Sequence, residues 1–220
     1  MLRKIIAGGP HRKTRVHDHH GNVISLSRFF RHVGSALTSS VRRVAFGGFP
    51  NGPWISYDGQ RIIDGHLTKQ SSVLEFGSGA STSWYADRAG FVLSKEDDKA
   101  WFDIVATMVG NRKNVVRLYA ETPESYVSLP TEYNSRKYDL VMIDGSHRDR
   151  CLDNCWNLLA PNGIIYLDNS DKHNADVTGD IPRARADIFA YAAKHNKKII
   201  TITDFAPTQV FVSEATIMFN

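Results

Sequence analysis

The stretch Val-Met-Ile-Asp-Gly-Ser-His-Arg-Asp at residues 141–149 places reactive side chains directly after an apolar run. Asp144 ends the run, and His147 follows three residues later. A carboxylate at the end of a buried strand can bind a cation, and a histidine can accept a proton near neutral pH. We therefore interpret Asp144 and His147 as catalytic candidates. The alternatives are a capping or turn acid and a surface histidine on a loop.

A second apolar run, GIIYL at 163–167, is followed by Asp168 and Asn169. The ends of neighbouring parallel strands lie ~5 Å apart, so these side chains could meet Asp144. Oxygen ligands of this kind suit a hard divalent cation such as Mg²⁺ or Mn²⁺, with water and substrate oxygens completing its shell. The sequence therefore predicts a metal site formed by Asp144, Asp168 and Asn169.

An acid-led glycine turn, EFGSGAST, begins at Glu75. Gly77 and Gly79 would let the backbone approach a ligand, and the helix that follows offers free N–H groups. The dinucleotide fingerprint requires a third glycine where Thr82 stands, and the acid would repel a pyrophosphate. The turn therefore favours a cationic ligand. Glu96 ends the next strand, where an acid can accept hydrogen bonds from both hydroxyls of a ribose.

The elements that would position these residues alternate between strands and helices from residue 70 onward. Repeated βα units predict a doubly wound parallel sheet with helices on both faces. The last two strands are separated only by Ala206-Pro207, too short for a crossover helix, so they should be antiparallel. We expect an α/β, Rossmann-like, mostly parallel seven-stranded sheet with a C-terminal antiparallel hairpin strand. The predicted strands are 73–76, 91–94, 114–119, 138–143, 163–167, 198–205 and 208–219, and the predicted helices 81–89, 98–109, 149–159 and 182–195.

Residues 1–52 read as a basic N-terminal arm with an amphipathic helix, and residues 53–220 as the main domain. Residues 1–57 hold nine Lys and Arg but a single acid, Asp18. This charge suits either a solvated arm or contact with an anionic nucleotide, nucleic acid or lipid headgroup. The cluster from His17 to His20 could bind a metal, although we favour a solvated tract. The helical stripe should pack over the core, with a membrane surface as the alternative; it comprises Leu26, Phe29, Phe30, Val33 and Leu37.

The composition is that of a soluble protein of 220 residues with 42% hydrophobic and 23% charged residues. No apolar run exceeds five residues, so we expect no transmembrane segment, and the start lacks the apolar region of a secretory signal. Cys151 and Cys155 lie four apart on one predicted helix, which is poor disulfide geometry and indicates free thiols. We therefore expect a cytoplasmic location, the host cytoplasm if the protein is viral.

These features together resemble class I methyltransferases, which use S-adenosyl-L-methionine (SAM), over residues 53–220. More narrowly, PWISYDGQRIID, VLEFGSGASTSWYA, LSKEDDKAWF and YDLVMIDGSHRDRCLDNCWNLLAPNGIIYLDNSD resemble small bacterial and viral sugar-modifying O-methyltransferases. One departure is Lys95, where the family usually has an apolar residue. The acid followed one strand later by Asp-Asn is similar to the metal triad of catechol-type O-methyltransferases, in which a lysine base matches His147. The resemblance implies SAM contacts by Trp54, Tyr57, Glu75, Gly77, Ser78, Gly79, Ser81, Thr82, Glu96, Ala120, Glu121 and Asp144.

We expect a SAM-dependent O-methyltransferase that acts on a hydroxyl of a small substrate, a sugar or glycan, with divalent-metal assistance. An RNA 2′-O-methyltransferase with a Lys-Asp-Lys-Glu site is an alternative, since Asp144, Lys172, Glu214 and the basic arm permit it. A non-catalytic binding module with the same fold is a second alternative. Thr82 and Glu75 disfavour an NAD-dependent oxidoreductase. The sequence specifies neither the acceptor nor an oligomeric state.

Overall fold

The computed structural model describes residues 15–47, 52–172 and 179–220. Its strands are β1 (Ser72–Phe76), β2 (Phe91–Glu96), β3 (Val115–Tyr119), β4 (Tyr138–Ile143), β5 (Leu159–Leu167), β6 (Lys198–Phe205) and β7 (Val212–Phe219). They form one seven-stranded sheet in the order β3-β2-β1-β4-β5-β7-β6. Strands β1 to β5 run parallel, whereas β7 is antiparallel to both β5 and β6. The predicted α/β fold with its antiparallel C-terminal hairpin is confirmed.

The helices begin where side chains can cap their free N–H groups. Ser25 and Asp98 accept hydrogen bonds from the backbone N–H groups of Arg28 and Trp101, over 3.4 and 2.9 Å respectively. Among the described residues, no helix combines the length and hydropathy that a bilayer crossing requires. The helices are α1 (Leu26–Phe46), α2 (Tyr57–His66), α3 (Ala80–Ala86), α4 (Lys99–Val109), α5 (Pro123–Val127), α6 (Thr131–Asn134), α7 (Arg148–Asp153) and α8 (Asp180–Lys194), with a 3₁₀ turn at Trp156–Leu158.

Both faces of the sheet are buried, as alternate residues of β1 show. Val73 packs in one apolar cluster with Leu140, whereas Leu74 packs in another with Val141. Side chains alternate between the two faces of a strand, so helices must cover each face, as in other parallel sheets. The predicted free thiols, Cys151 and Cys155, are buried in the second cluster and unpaired with each other.

Strand β5 begins earlier than the predicted 163–167. The predicted helix over 149–159 is shorter, and residues 160–163 lie inside β5. The register between β4 and β5 shifts, because Tyr138 pairs with Leu159 while Leu140 pairs with Ile164. This irregularity accommodates the Pro-Asn-Gly run within the strand.

Helix α1 forms as predicted, but most of its apolar stripe faces outward. Phe29 and Val33 pack against the cluster beneath the helix, as expected. Leu26, Phe30 and Leu37 are exposed, so the prediction that they pack over the core is wrong.

Polar contacts decide which face of α1 is buried. The ring Nδ1 of His32 lies 2.9 Å from Oδ1 of Asp204, and Arg28 Nε donates to Asp58 Oδ2 over 2.6 Å. His32 and Ala36 are the buried residues of the helix. Since Asp204 is buried on β6, this hydrogen bond fixes the rotation of α1 on the sheet.

The segment before α1 lies against the C-terminal hairpin. Asp18 is buried and accepts hydrogen bonds from Thr203 Oγ1 and the Asn22 N–H, each over 2.8 Å. The backbone N–H of His19 donates to Asp171 Oδ2 over 2.9 Å. His17 is buried, so the expected solvated tract is wrong for this residue. Most of the predicted basic arm, residues 1–14, lies outside the described residues, as do residues 48–51.

Candidate active site

A cleft of about 200 Å³ opens at the carboxyl ends of β1 and β4. This is the edge at which open α/β sheets bind ligands. The sequence predicted six of its lining residues, and the structure brings those six together. The cleft is lined by Gly52, Trp54, Gly77, Ser78, Gly79, Ala80, Ser81, Trp101, Met108 and Asp144.

The glycine turn after β1 packs directly against the end of β4. Gly77 has a φ of +97°, and a Cβ there would come within 2.7 Å of the Gly145 nitrogen. The N–H groups of Asp144 and Gly145 both donate to the Phe76 carbonyl, over 3.0 and 2.9 Å. Gly77 is therefore required by the protein's own packing. Gly79 is extended, and a Cβ there would meet nothing closer than Ser81 Oγ at 3.5 Å, so close ligand approach is a better reason for this glycine.

Glu75 is fully buried behind this turn and does not line the cleft. Its carboxylate accepts hydrogen bonds from the hydroxyls of Ser81, Thr82 and Ser94, over 2.5, 2.6 and 2.6 Å. Burial raises the pKa of Glu75 to about 7, although the three hydroxyls oppose that shift. Glu75 therefore holds the turn in place. Its contact with the cleft is indirect, through the hydroxyl of Ser81, which lines the cleft.

Glu96 is buried at the end of β2 and also binds the glycine turn. Its carboxylate accepts hydrogen bonds from the N–H and hydroxyl of Ser78, over 3.0 and 3.1 Å. The N–H groups of Asp97 and Asp98 donate to its other oxygen, each over 3.0 Å. Burial raises the pKa of Glu96, and these donors oppose the shift. Ala120, at the end of β3, donates its N–H to the Glu96 carbonyl over 2.9 Å.

Asp144 and Asp168 meet at the ends of β4 and β5. Their carboxyl groups lie close enough that each shifts the pKa of the other. Burial raises the pKa of both groups, and the charge of Asp144 raises that of Asp168 further. Asp144 lines the cleft, whereas Asp168 is buried beside it. The two strand-end acids therefore lie close together, as predicted.

Arg148, which the sequence analysis did not select, connects the two strand ends. Its buried guanidinium donates to the carbonyls of Gly145 and Asp144, each over 2.9 Å, and also to the carbonyl of Asp168. It lies 3.5 Å from Asp144 Oδ1 as well. Its positive charge lowers the pKa of both aspartates and so opposes the effect of burial.

No protein-family model matches the chain, and no curated protein matches it in sequence. Several solved structures match its fold. An O-methyltransferase from Bacillus cereus in complex with SAH is 16% identical, with a TM-score of 0.60 over 84% of this chain and 91% of that chain. TomG, an O-methyltransferase from Streptomyces achromogenes involved in tomaymycin synthesis, in complex with SAM, is 15% identical, with a TM-score of 0.58 over 84% and 88%. The fibrillarin pre-rRNA processing protein of Methanococcus jannaschii is 17% identical, with a TM-score of 0.50 over 76% of each chain.

This chain has the class I methyltransferase fold. Within that fold, Asn169 follows Asp168 with a left-handed φ of 48°. Its side-chain oxygen accepts a hydrogen bond from the Lys172 ammonium, and its side-chain nitrogen lies 3.4 Å from Ser213 Oγ. The side-chain oxygen of Asn169, the predicted third metal ligand, is therefore already bound to the Lys172 ammonium. Lys172 also lowers the pKa of Asp144 and Asp168.

Four further predicted site residues, like Glu75, do not line the cleft. His147 starts α7 with a φ of 50°, and its ring lies 6.3 Å from the ring of Tyr126. Tyr57 packs against α1, with its ring 5.2 Å from that of His32. Thr82 is buried behind the glycine turn, and Glu121 is exposed after β3.

Two cleft residues on α4 were missed because their helical spacing indicated core packing. Trp101 Nε1 donates to the Ser78 carbonyl over 2.7 Å, so its ring is fixed beside the glycine turn. Met108 contributes an apolar surface to the same cleft. Lys95, the departure from the family pattern, points elsewhere: its buried ammonium binds the carbonyls of Ser125 and Ser128. Burial lowers its pKa to about 8.

A second cluster of possible metal ligands lies under α1. Among the described residues, one group of His, Cys and acidic side chains lies close enough together to hold an ion, namely His32, Asp58 and Asp204. The described residues of the predicted histidine tract form no such group. Three arginines already form ion pairs with Asp58. Burial acts to raise the pKa of Asp58, but Arg28, His32 and Arg61 together lower it. We interpret this cluster as a structural anchor.

Proposed function

We propose that this protein transfers the methyl group of SAM to a hydroxyl of a small acceptor, with the assistance of a divalent metal. The observation that carries the proposal is the position of the Asp144–Asp168 pair beside a cleft bordered by the acid-led glycine turn. The fold is shared with O-methyltransferases solved with SAM or SAH, which supports the same cofactor here.

The cleft offers the contacts that SAM requires. SAM, when bound, supplies a methyl group on a positively charged sulfur. Asp144 provides negative charge at the cleft wall, and the backbone at Gly79 leaves room for close approach. Glu96 already accepts four hydrogen bonds, about as many as a carboxylate can take, so ribose hydroxyls would replace that of Ser78. The Trp101 ring offers a flat apolar surface on which the adenine can stack, and Met108 adds an apolar contact.

The strand-end residues fit a hard divalent cation. Asp144 and Asp168 hold carboxyl groups close together against their mutual repulsion, and Asn169 adds an amide oxygen. A cation held there would lower the pKa of a bound hydroxyl and orient it. For Asn169 to become a ligand, the Lys172 ammonium must release its side-chain oxygen.

His147 remains the proposed base that accepts the hydroxyl proton. Its position at the start of α7, three residues after Asp144, supports this role. If it is correct, His147→Ala reduces turnover by about 10²-fold or more while SAM affinity stays constant. Full turnover by the variant would exclude the role.

We propose a sugar or glycan as the acceptor. The sequence resemblance supports this choice, and Trp54 at the cleft wall offers a face on which a sugar ring can stack. The buried thiols of Cys151 and Cys155 support a reducing, cytoplasmic location.

RNA 2′-O-methylation is the second candidate. The Lys172 ammonium lies near Asp144, which favours a site that uses a lysine. However, Glu214 of the predicted tetrad is buried and accepts hydrogen bonds from Arg185 Nε and Ser170 Oγ, over 2.9 and 2.8 Å. These contacts leave Glu214 committed to the hairpin, so we favour the metal-assisted reaction.

The test is a panel of free sugars, glycans and capped RNA with labelled SAM, in Mg²⁺ and in EDTA. Methylation of a sugar that requires Mg²⁺ and survives Lys172→Ala would support the proposal. Methylation of RNA that survives EDTA but is lost in Lys172→Ala would replace it with the second candidate. Calorimetry that finds NAD bound more tightly than SAM would contradict both.

A further inference from the structure

Helix α1 presents an apolar surface that nothing in the described chain covers. Seven of the eight large apolar side chains exposed among the described residues lie on this helix or just before it. The exposed fraction is 76% for Leu26, 75% for Phe30 and 88% for Val44. A concentration of this kind on one element marks an interaction surface. The set is Val23, Leu26, Phe30, Leu37, Val41, Val44 and Phe46.

Five of these side chains form a continuous stripe along the helix. Residues 26, 30, 37, 41 and 44 are separated by whole turns or nearly so, and therefore project from one face. The opposite face is fixed to the sheet by the His32–Asp204 contact of 2.9 Å. Arg43 Nη1 donates to Thr208 Oγ1 over 3.0 Å near the other end. The helix thus cannot turn its stripe toward the core without breaking both anchors.

The charged residues of the helix are all positive. It carries Arg28, Arg31, Arg42 and Arg43 and no acidic residue over Leu26–Phe46. Arg42 is exposed, and helical geometry places Arg31 and Arg42 beside one edge of the stripe. Residues 1–14 of the sequence add four more Lys and Arg and no acid.

We propose that α1 is a membrane-surface helix that lies on anionic lipid headgroups. Its apolar stripe would enter the boundary between headgroups and acyl chains, while the exposed Arg42 binds the negative headgroups. Arg28 and Arg31 already pair with Asp58 and contribute less. A second copy of the chain is a poorer partner, because each helix carries the exposed Arg42 and no acid of its own, so pairing two copies brings like charges together.

The position of the helix would bring the cleft close to the lipid surface. The Arg43 guanidinium lies over the Trp54 ring, 4.8 Å from its centroid, and Trp54 lines the cleft. One end of the membrane-surface helix is therefore in contact with the cleft wall. This arrangement suits an enzyme whose acceptor is presented at a membrane.

Vesicle co-sedimentation of the full chain tests the proposal independently of any activity. We expect binding to vesicles of phosphatidylcholine mixed with phosphatidylglycerol, and at least roughly tenfold weaker binding to phosphatidylcholine alone. Phe30→Glu and Val44→Glu should each weaken binding to the mixed vesicles by about tenfold or more. Arg42→Glu should weaken binding to the mixed vesicles by at least about fivefold, and a higher salt concentration should weaken it too.

Ile104→Glu is the matched control, because Ile104 is an exposed apolar residue on α4, outside the stripe. It should bind mixed vesicles like the unaltered chain, and thermal melts should show that every variant is folded. Failure to bind mixed vesicles, equal binding to both vesicle types, or equal weakening by Ile104→Glu would overturn the proposal. So would a concentration-independent dimer in light scattering that Phe30→Glu and Val44→Glu dissociate.

Discussion

The carboxyl groups of Asp144 and Asp168 lie at the ends of neighbouring parallel strands, close enough that each shifts the pKa of the other. Burial raises the pKa of both, and Arg148 and Lys172 only partly oppose this shift. The pair therefore binds a proton, or a cation in its place, more readily than two separate aspartates would. This competition between protons and cations makes the proposed metal site testable without substrate.

Mg²⁺ should raise the melting temperature more at about pH 8 than at about pH 5. A carboxyl group whose pKa is raised by folding stabilises the protein at low pH, and that contribution is lost as pH rises through the folded-state pKa. The cation offsets this loss on the alkaline side. Asp168→Asn should abolish the Mg²⁺ response, whereas Asp103→Asn, an exposed acid on α4, should retain it. An unchanged response in Asp168→Asn would place Mg²⁺ elsewhere.

Arg148→Met should destabilise the fold by about 3 kcal/mol, because three buried or part-buried carbonyls lose their donor and the aspartate pair loses a positive charge. Urea denaturation measures this loss. Arg150→Met is the matched control, since Arg150 forms only a surface pair with Glu124 and should cost less than about 1 kcal/mol. Similar costs for the two variants would show that Arg148 has no special structural role.

The strand boundaries were predictable where apolar runs end abruptly at polar residues. Strands β4 and β6 match the predicted 138–143 and 198–205 at both ends. The early start of β5 was not predictable, because proline and glycine inside a strand normally indicate a turn. The shifted register opposite Tyr138 accommodates the proline and the glycine within this strand.

The meeting of Asp144 with Asp168 followed from sheet topology, since both acids end adjacent parallel strands. The role of Arg148 did not, because it depends on the left-handed conformation at His147, and non-glycine residues rarely adopt that conformation. Similarly, the apolar pattern of α1 indicated the wrong buried face. The contact of His32 with Asp204 selects that face, and a hydrogen bond between residues so distant in sequence leaves no periodic signal.

Glu75→Gln should flatten the dependence of folding stability on pH. The pKa of Glu75 is 4.5 when exposed and about 7 when folded, so its carboxyl group favours the folded state below pH 4.5. That contribution, on the order of 3 kcal/mol, is lost as pH rises to about 7. The free energy of unfolding of Glu75→Gln, relative to that of the unaltered chain, should therefore increase as the pH rises from about 5 to about 8. Urea denaturation without metal or SAM measures the difference, and parallel pH profiles would contradict it.

Gly77→Ala and Gly79→Ala should separate the structural glycine of the turn from the one that admits a ligand. A Cβ at Gly77 would come within 2.8 Å of the Gly145 Cα at a φ of +97°, so Gly77→Ala should cost about 2 kcal/mol or more. A Cβ at Gly79 would have no protein neighbour closer than 3.5 Å, so Gly79→Ala should melt like the unaltered chain. It should nevertheless bind SAM about tenfold more weakly, because its Cβ would fill the space left for the ligand. Thermal melts and calorimetry with SAM test the pair, and unchanged SAM affinity in a folded Gly79→Ala would show that the ligand does not approach this side of the turn.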